Sequence, residues 1–324
     1  MNDTELYTYI LESDIFKKWH WFTYHFSHRL HGAKHPLVES FIESCLLCDE
    51  KIHGFAYKMV DDIAALSGNE KFEPHYEQLL QKLAELLIIR QVVTFDWGTD
   101  FAIDYEPTAG SSKKNPEIVV KTKDFSVGIE VKAPSLFSHI RARKSTDLQI
   151  VSRSPYAKAF QEGKSVTFPR DNPIKDFLIS ANNKFEQFKV ENPAFLSLLV
   201  IVWDDHIYEP ISSLIHPVAG LFTPNSFAKD SNNQPIEFKN LDSVIIVRHL
   251  HQLLSSTRDE PLIDGRRNPF DYGVDGQFPP KVIIPAPKGQ PISSVILDCF
   301  QAKPLDPTMG AEYIPTDFVR WLLM

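Results

Sequence analysis

The chain has 324 residues, of which 43% are hydrophobic and 23% are charged. This balance is ordinary for a folded globular protein and excludes a disordered, collagen-like or small disulfide-rich chain. Forty-two acidic against 34 basic residues give a net charge of −8, which argues against a protein coated in nucleic acid. Three cysteines form no disulfide framework, and every apolar run is shorter than the roughly 20 residues that cross a bilayer. We therefore expect a cytoplasmic protein without a membrane segment.

The first 72 residues predict a helical N-terminal region. Asp14 is a favoured capping residue, and we expect a helix from Asp14 to Gly32, where glycine would close it in the left-handed conformation. Apolar residues recur at helical spacing along this stretch, as on a helix with one buried face. A second helix is predicted from Pro36 to His53.

Residues 73–210 predict an α/β unit. A helix with Pro74 in its first turn runs to about Arg90, and a further helix begins at Asn172 and ends before Pro193. Alternating or continuous apolar runs predict strands at 101–105, 117–121, 125–132 and 195–203. Helices and strands in this order are typical of an α/β fold, in which helices flank a sheet.

Residues 211–324 are rich in proline and asparagine and predict a C-terminal extension that packs on the α/β unit. Short strands are expected at 244–247 and 281–284, and no internal repeat is found. The chain is thus predicted to contain a helical N-terminal region, a core and an extension.

Two neighbouring strands carry the residues with the clearest chemistry. Glu130 and Lys132 are two apart on one strand, so their side chains project from the same face. Glu117 lies on the preceding strand, which can pair with this one through a short turn near Asp124. Two carboxylates suit a hard cation such as Mg²⁺, and an adjacent lysine can orient an attacking water. The sequence therefore predicts a metal-dependent hydrolytic site.

These residues resemble the signature of the PD-(D/E)XK nuclease superfamily, which includes many restriction enzymes. The motif is carried by Pro116-Glu117, a twelve-residue gap and Glu130-Val131-Lys132. The resemblance implies a restriction-endonuclease-like core with a mixed central sheet, and Mg²⁺ or Mn²⁺ held by Glu117 and Glu130. It further implies that Lys132 positions the water and that Glu85, on the preceding helix, assists.

The resemblance also leaves two positions open. The family places a glutamine or lysine on the helix after the lysine strand, and Lys184 or Gln187 fits that place. Its first metal ligand is more often aspartate than glutamate, so Asp104 or Asp100 on the previous strand is an alternative to Glu117. About 130 residues are covered by the resemblance.

A basic segment follows the predicted catalytic strand. Residues 132–189 carry a charge of +6, which leaves −14 for the remainder of the chain. Four cations in or near its first part are candidates for contact with a nucleic-acid backbone. They are Arg141, Arg143, Lys144 and Arg153.

Other motifs are weaker. Gly163-Lys164-Ser165 resembles part of a phosphate-binding loop, but position 158 is lysine where that loop needs glycine. Cys45 and Cys48 are spaced as in zinc sites, but an apolar helix surrounds them and no second cysteine pair follows. Three histidines near them in sequence fit a solvated helix face better than a metal site. They are His20, His28 and His31.

Together these patterns predict a Mg²⁺-dependent endonuclease that hydrolyses DNA, in restriction or defence against foreign DNA. Cutting both strands calls for two active sites, which makes a homodimer the expected assembly. Two alternatives stay open at this point. One is a non-catalytic nucleic-acid-binding or protein-interaction module on the same fold, and the other is an RNA-directed nuclease.

Overall fold

The computed structural model describes residues 1–110, 114–143, 146, 148–153 and 166–320. Seven of its strands form one mixed sheet in the order β1-β2-β3-β5-β6-β7-β8, and β4 and β9 form a small antiparallel pair. The strands are β1 Ala102–Tyr105, β2 Ile118–Lys121, β3 Ser126–Lys132, β4 Leu148–Ile150, β5 Leu196–Trp203, β6 Ser243–Arg248, β7 Lys281–Pro285, β8 Ala302–Pro304 and β9 Phe318–Arg320.

Helices cover both faces of the large sheet, which confirms the predicted α/β class. They are α1 Asp3–Glu12, α2 Asp14–Lys17, α3 Thr23–Ser27, α4 Pro36–Asp49, α5 Phe55–Ala64, α6 Glu73–Thr94, α7 Phe137–Arg143, α8 Asp171–Glu191, α9 Tyr208–Ile215, α10 Leu250–Ser256 and α11 Ser294–Phe300. One apolar core joins the N-terminal helices and α6 to one face of the sheet. A second core lies under α8 and α9 on the other face.

The predicted single helix from Asp14 to Gly32 is wrong. The segment forms α2, α3 and a short 3₁₀ helix, because the chain turns to an extended conformation at Lys18 and the helix cannot continue. The Thr23 hydroxyl donates to the Ile15 carbonyl across this break, at 2.6 Å. Gly32 does close the last turn in the left-handed region, with φ +72°.

The predicted helical N-terminal region is confirmed, although its individual helices differ from prediction. Helix α1, which had no predicted bounds of its own, begins with a reciprocal capping box formed by Asn2 and Glu5. The predicted helix from Pro36 to His53 ends earlier, at Asp49.

Helix α6 is buried on nearly all sides, since it packs between the N-terminal helices and the sheet. Pro74 stands in its first turn, as predicted, where a missing backbone N–H costs nothing. Residues 83–89 of α6 are all buried, and a buried acidic residue among them needs a partner. Glu85 is that residue, with only 5% of its surface exposed.

Gly128 sets the distance between β3 and α8. A Cβ at this position would lie 2.6 Å from the Phe195 ring and 2.9 Å from the Phe185 ring. The absence of a side chain therefore lets both rings lie against the strand. Since Phe185 belongs to α8, this contact also fixes where the preceding residue of the helix, Lys184, meets the sheet.

The basic segment after β3 contains two elements that the sequence patterns did not indicate. They are α7 and β4. The predicted strands at 244–247 and 281–284 are confirmed as parts of β6 and β7. Together with β8 they continue the same sheet beyond β5, with β5 and β6 parallel and β6 and β7 antiparallel.

Candidate active site

The antiparallel pairing of β2 with β3 brings the two motif carboxylates together. Ile118 pairs with Ile129, so Glu117, one residue before β2, lies across from Glu130. Lys132 follows on the same face of β3 at the end of the strand. Glu130 is fully buried and Glu117 is 7% exposed. The sequence motif thus occupies one corner of the sheet.

Helix α8 contributes a second lysine to this corner. The Lys184 ammonium lies 2.8 Å from Glu130 Oε1 and 3.5 Å from Glu117 Oε1. The Lys132 ammonium lies 2.7 Å from Glu130 Oε1. We call Glu117, Glu130, Lys132 and Lys184 the acid–lysine cluster. Of the two candidates on α8, Lys184 therefore reaches the carboxylates.

Gln81 couples helix α6 to the end of β3. Its side-chain carbonyl accepts from the Ala133 amide at 2.6 Å, and its amide donates to the Val131 carbonyl at 3.2 Å and to Glu85 at 3.0 Å. Lys82 also donates to Glu85, at 2.7 Å. These contacts hold Glu85 near enough to the acid–lysine cluster for its charge to act on Glu117.

The buried charges shift the protonation of this corner. Burial, with the charges of Glu85 and Glu130, raises the pKa of Glu117 to about 8, although Lys184 and Lys132 partly oppose the shift. Burial would lower the pKa of Lys184, but Glu130 and Glu117 outweigh it and raise this pKa. Burial is the main cause of the raised pKa of Glu117, and a bound cation would favour the charged form of this carboxylate.

The donor set fits a hard divalent cation. Glu130 Oε1 is buried and has no hydrogen bond of good geometry within the described residues, although both ammonium groups lie close to it. Two carboxylates with room for water suit Mg²⁺ or Mn²⁺. Among the described residues, one group of three side chains of metal-binding type has its ligand atoms within 4.8 Å of one another. This group is His25, His35 and Asp259, and it lies outside the acid–lysine cluster. A cation here would thus draw on Glu117 and Glu130.

Other predicted residues lie outside the acid–lysine cluster. Gln187 donates to Glu191, at 3.1 Å, on its own helix. Asp104 forms an exposed ion pair with Lys121 at 2.7 Å, and Asp100 is exposed in the turn before β1. Glu117 is therefore the carboxylate that faces Glu130, and the alternative ligands Asp104 and Asp100 do not.

The predicted phosphate-binding arginines have intramolecular partners. Arg141 pairs with Glu73 at 2.8 Å on the surface, and Arg153 pairs with Asp171 at 2.6 Å. Arg143 is half-buried and donates to the Tyr208 hydroxyl at 3.4 Å. The structure thus disperses these three residues along the surface beyond β3. Lys144 lies outside the described residues, as does the Gly163-Lys164-Ser165 segment.

A second buried group of charges was missed by sequence reasoning. Glu209, on α9, accepts from Arg170 at 2.8 Å, and Arg170 also pairs with Asp204 at 2.8 Å. His139 lies 3.3 Å from Glu209, and Gln149 donates to it. We call these five residues the Glu209 cluster. Burial would raise the pKa of Glu209, but Arg170 and His139 lower it below its usual value.

Cys45 and Cys48 are free thiols buried in α4. Burial raises the pKa of both, that of Cys48 to about 12. His20 Nδ1 accepts a hydrogen bond from the Phe22 amide, and its Nε2 donates to the Ile63 carbonyl.

Comparison with family models, curated proteins and solved structures gives no match for this chain. Across the described residues, every helix is too short or too polar to cross a membrane.

Proposed function

We propose that this protein is a metal-dependent nuclease of the PD-(D/E)XK type that hydrolyses phosphodiester bonds of DNA, in restriction or defence within the cytoplasm. The observation that carries the proposal is the acid–lysine cluster. Glu117, Glu130 and Lys132 converge at adjoining strand ends, and Lys184 bridges the two carboxylates. Three buried free thiols also fit a reducing compartment.

Each residue has a defined task in this proposal. Glu117 and Glu130 would hold Mg²⁺, which supplies positive charge for the phosphate oxygens and for the developing transition state. Lys132 would hold the attacking water, and Lys184 would keep the carboxylates together. Glu85 would support the site through Gln81. The water oxygen attacks phosphorus, the bond to the leaving oxygen breaks, and a phosphate monoester and a hydroxyl group result.

Plasmid cleavage tests the proposal. The wild type is incubated with supercoiled DNA and Mg²⁺ beside Lys132→Ala and Lys121→Ala. Lys121 is a matched control, because it is a lysine on the adjoining strand and pairs with Asp104 outside the cluster. We expect cleavage by the wild type and Lys121→Ala, and loss of cleavage in Lys132→Ala. Equal cleavage by all three would refute the site. Absence of cleavage on DNA and RNA with Mg²⁺ and Mn²⁺ would refute the activity.

A non-catalytic binding module is the second candidate, and the two ammonium groups around Glu130 favour it. Their charge could neutralise the buried carboxylate permanently, without a metal. Calorimetric titration with Mn²⁺ separates the two. The nuclease proposal requires binding that Glu117→Gln and Glu130→Gln abolish, whereas the module requires none.

The preferred nucleic acid and the assembly are further parts of the proposal. Cutting both strands of a duplex calls for two active sites, so we expect a homodimer on DNA. Sedimentation with and without a DNA duplex measures this directly. Preferential cleavage of single-stranded RNA would instead support the RNA-directed alternative.

A further inference from the structure

Two histidines and an aspartate meet where the N-terminal region contacts the segment after α10. One ligand atom from each of His25, His35 and Asp259 lies within 4.8 Å of the others. The three residues are widely separated in the sequence, so only the fold brings them together. The two imidazole rings cross edge to face, with centroids 4.8 Å apart. They lie outside the acid–lysine cluster.

Hydrogen bonds fix which ring nitrogens are free. His25 Nε2 faces the Thr257 carbonyl at 3.2 Å, and a carbonyl can only accept, so Nε2 carries the hydrogen. The lone pair of His25 is therefore on Nδ1. His25 is only 6% exposed, and its Nδ1 is buried. Within the described residues this nitrogen has no hydrogen-bond partner. A carbonyl that orients the non-ligating nitrogen is the usual outer contact of a metal-bound histidine.

His35 is held by the backbone on one side and by Asp259 on the other. Its Nδ1 faces the Leu37 amide at 3.2 Å, as the N-cap of α4, and its Nε2 faces Asp259 Oδ1 at 2.6 Å. A neutral imidazole carries one hydrogen, so binding of a cation at Nε2 requires this hydrogen to move to Nδ1 and the Leu37 hydrogen bond to open. Nε2 and the carboxylate oxygen of Asp259 are already directed at each other.

The segment that carries Asp259 is itself held in place. The Thr257 hydroxyl bonds to the Tyr76 hydroxyl at 2.5 Å, and the Thr257 amide donates to the Leu253 carbonyl. Asp259 adopts a left-handed backbone conformation, with φ +57°, and its side chain is 48% exposed. The site thus has two buried nitrogen ligands and an opening to solvent at the carboxylate.

We propose that His25, His35 and Asp259 bind a zinc ion that ties the N-terminal region to the C-terminal part of the chain. Two imidazoles and a carboxylate are borderline ligands that suit Zn²⁺, in contrast to the all-oxygen set that suits Mg²⁺. Water or the neighbouring His28, whose ring centroid lies 4.9 Å from that of His35, completes the coordination. Zinc bonds of about 2.0–2.1 Å place tetrahedral ligand atoms roughly 3.3 Å apart. His35 Nε2 and Asp259 Oδ1 would therefore separate from 2.6 Å, while the His25 ligand atom would move closer to them.

Titration of the whole chain with Zn²⁺, in excess Mg²⁺, tests the site, with Co²⁺ as a spectroscopic probe. His35→Ser removes the imidazole but keeps a good N-cap, and Asp259→Asn changes an exposed side chain, so both variants should fold. His53→Ala is the control, since His53 is an exposed histidine in the same region. Circular dichroism monitors folding.

We expect one Zn²⁺ per wild-type chain, and visible Co²⁺ bands typical of four or five ligands. Affinity should fall more than tenfold in His35→Ser and Asp259→Asn and stay unchanged in His53→Ala. Glu130→Gln should also bind zinc normally, which separates this site from the acid–lysine cluster. Failure of the wild type to bind one zinc, or equal binding by Asp259→Asn and the wild type, would overturn the proposal. If His35→Ser does not fold, Asp259→Asn alone decides.

Discussion

Two clusters of buried charged residues, the acid–lysine cluster and the Glu209 cluster, lie near the carboxyl ends of the parallel strands β3 and β5. They shift the pKa of a buried carboxylate in opposite directions. In the Glu209 cluster, Arg170 and His139 lower the pKa of the buried acid. In the acid–lysine cluster, burial and two neighbouring acids raise the pKa of Glu117 to about 8. Burial alone therefore does not mark a functional site. A buried carboxylate with a raised pKa is the better candidate, because a bound cation would favour its charged form.

The largest effect should separate the two clusters by activity. Glu130→Gln removes one charge from the proposed metal site and should reduce DNA cleavage by about 10³-fold, within the range of a lost catalytic group. Glu209→Gln, measured at a temperature where it stays folded, should retain cleavage within about tenfold, because Glu209 lies outside the acid–lysine cluster. Single-turnover rates on plasmid DNA measure both. Comparable losses in the two variants would contradict the comparison.

Stability should show the reverse order. Glu209→Gln leaves the buried Arg170 without its main partner and should lower the free energy of unfolding by about 3–5 kcal/mol. Glu130→Gln should cost about 1 kcal/mol or less, since Lys132 and Lys184 are partly exposed and can turn to solvent. Urea denaturation of both variants checks the prediction. A greater loss in Glu130→Gln would assign the structural role to the acid–lysine cluster.

A substitution at Gly128 tests the packing between β3 and α8 rather than the charges of the acid–lysine cluster. Gly128→Ala places a methyl group against Phe195 and Phe185, and overpacking of this kind costs about 1–3 kcal/mol. Because Phe185 neighbours Lys184, cleavage should fall along with stability. Ser126→Ala, on the same strand, is the matched control and should leave both unchanged. Normal stability in Gly128→Ala would show that α8 adjusts freely.

The smallest expected effect is a pH dependence with opposite sign in the two clusters. The folded pKa of Glu117 exceeds its unfolded value, so its contribution to stability is present below about pH 4.5 and is lost as pH rises through about 8. Glu209, with a lowered pKa, contributes above its unfolded pKa and loses this as pH falls.

Addition of Mg²⁺ provides a measurement of the difference in pH dependence between Glu117 and Glu209. A cation at Glu117 competes with the proton, so the rise in melting temperature on adding Mg²⁺ should grow by a few degrees between pH 6 and pH 9. Glu117→Gln should abolish the growth, and Glu209→Gln should preserve it. A Mg²⁺ effect independent of pH would show that Glu117 does not bind the ion.

Sequence reasoning predicted the part of the fold that local patterns encode. Strand alternation and the spacing of Glu117, Glu130 and Lys132 sufficed to place these residues on one face, because neighbouring strands with a short turn have little freedom. The long helix expected from Asp14 to Gly32 failed, since the break at Lys18 carries no proline or glycine.

What the sequence did not predict depends on contacts between distant segments. Asp259 meets His35 across 224 positions, and Arg170 meets Glu209 across 39. No local spacing encodes such pairs. The spacing of Cys45 and Cys48 pointed to zinc ligands along one helix. The two histidines that converge with a carboxylate, His25 and His35, lie outside that motif.

The burial of helix α6 has a consequence for dividing the chain. Its outer face is covered by the N-terminal helices, and its inner face carries Gln81 and Glu85 to the end of β3. A fragment beginning at residue 73 would present an uncovered apolar helix to water and would loosen the same element that aligns the carboxylates. A shortened chain prepared for the cleavage assay should therefore keep the first helices, however far they lie from the proposed chemistry.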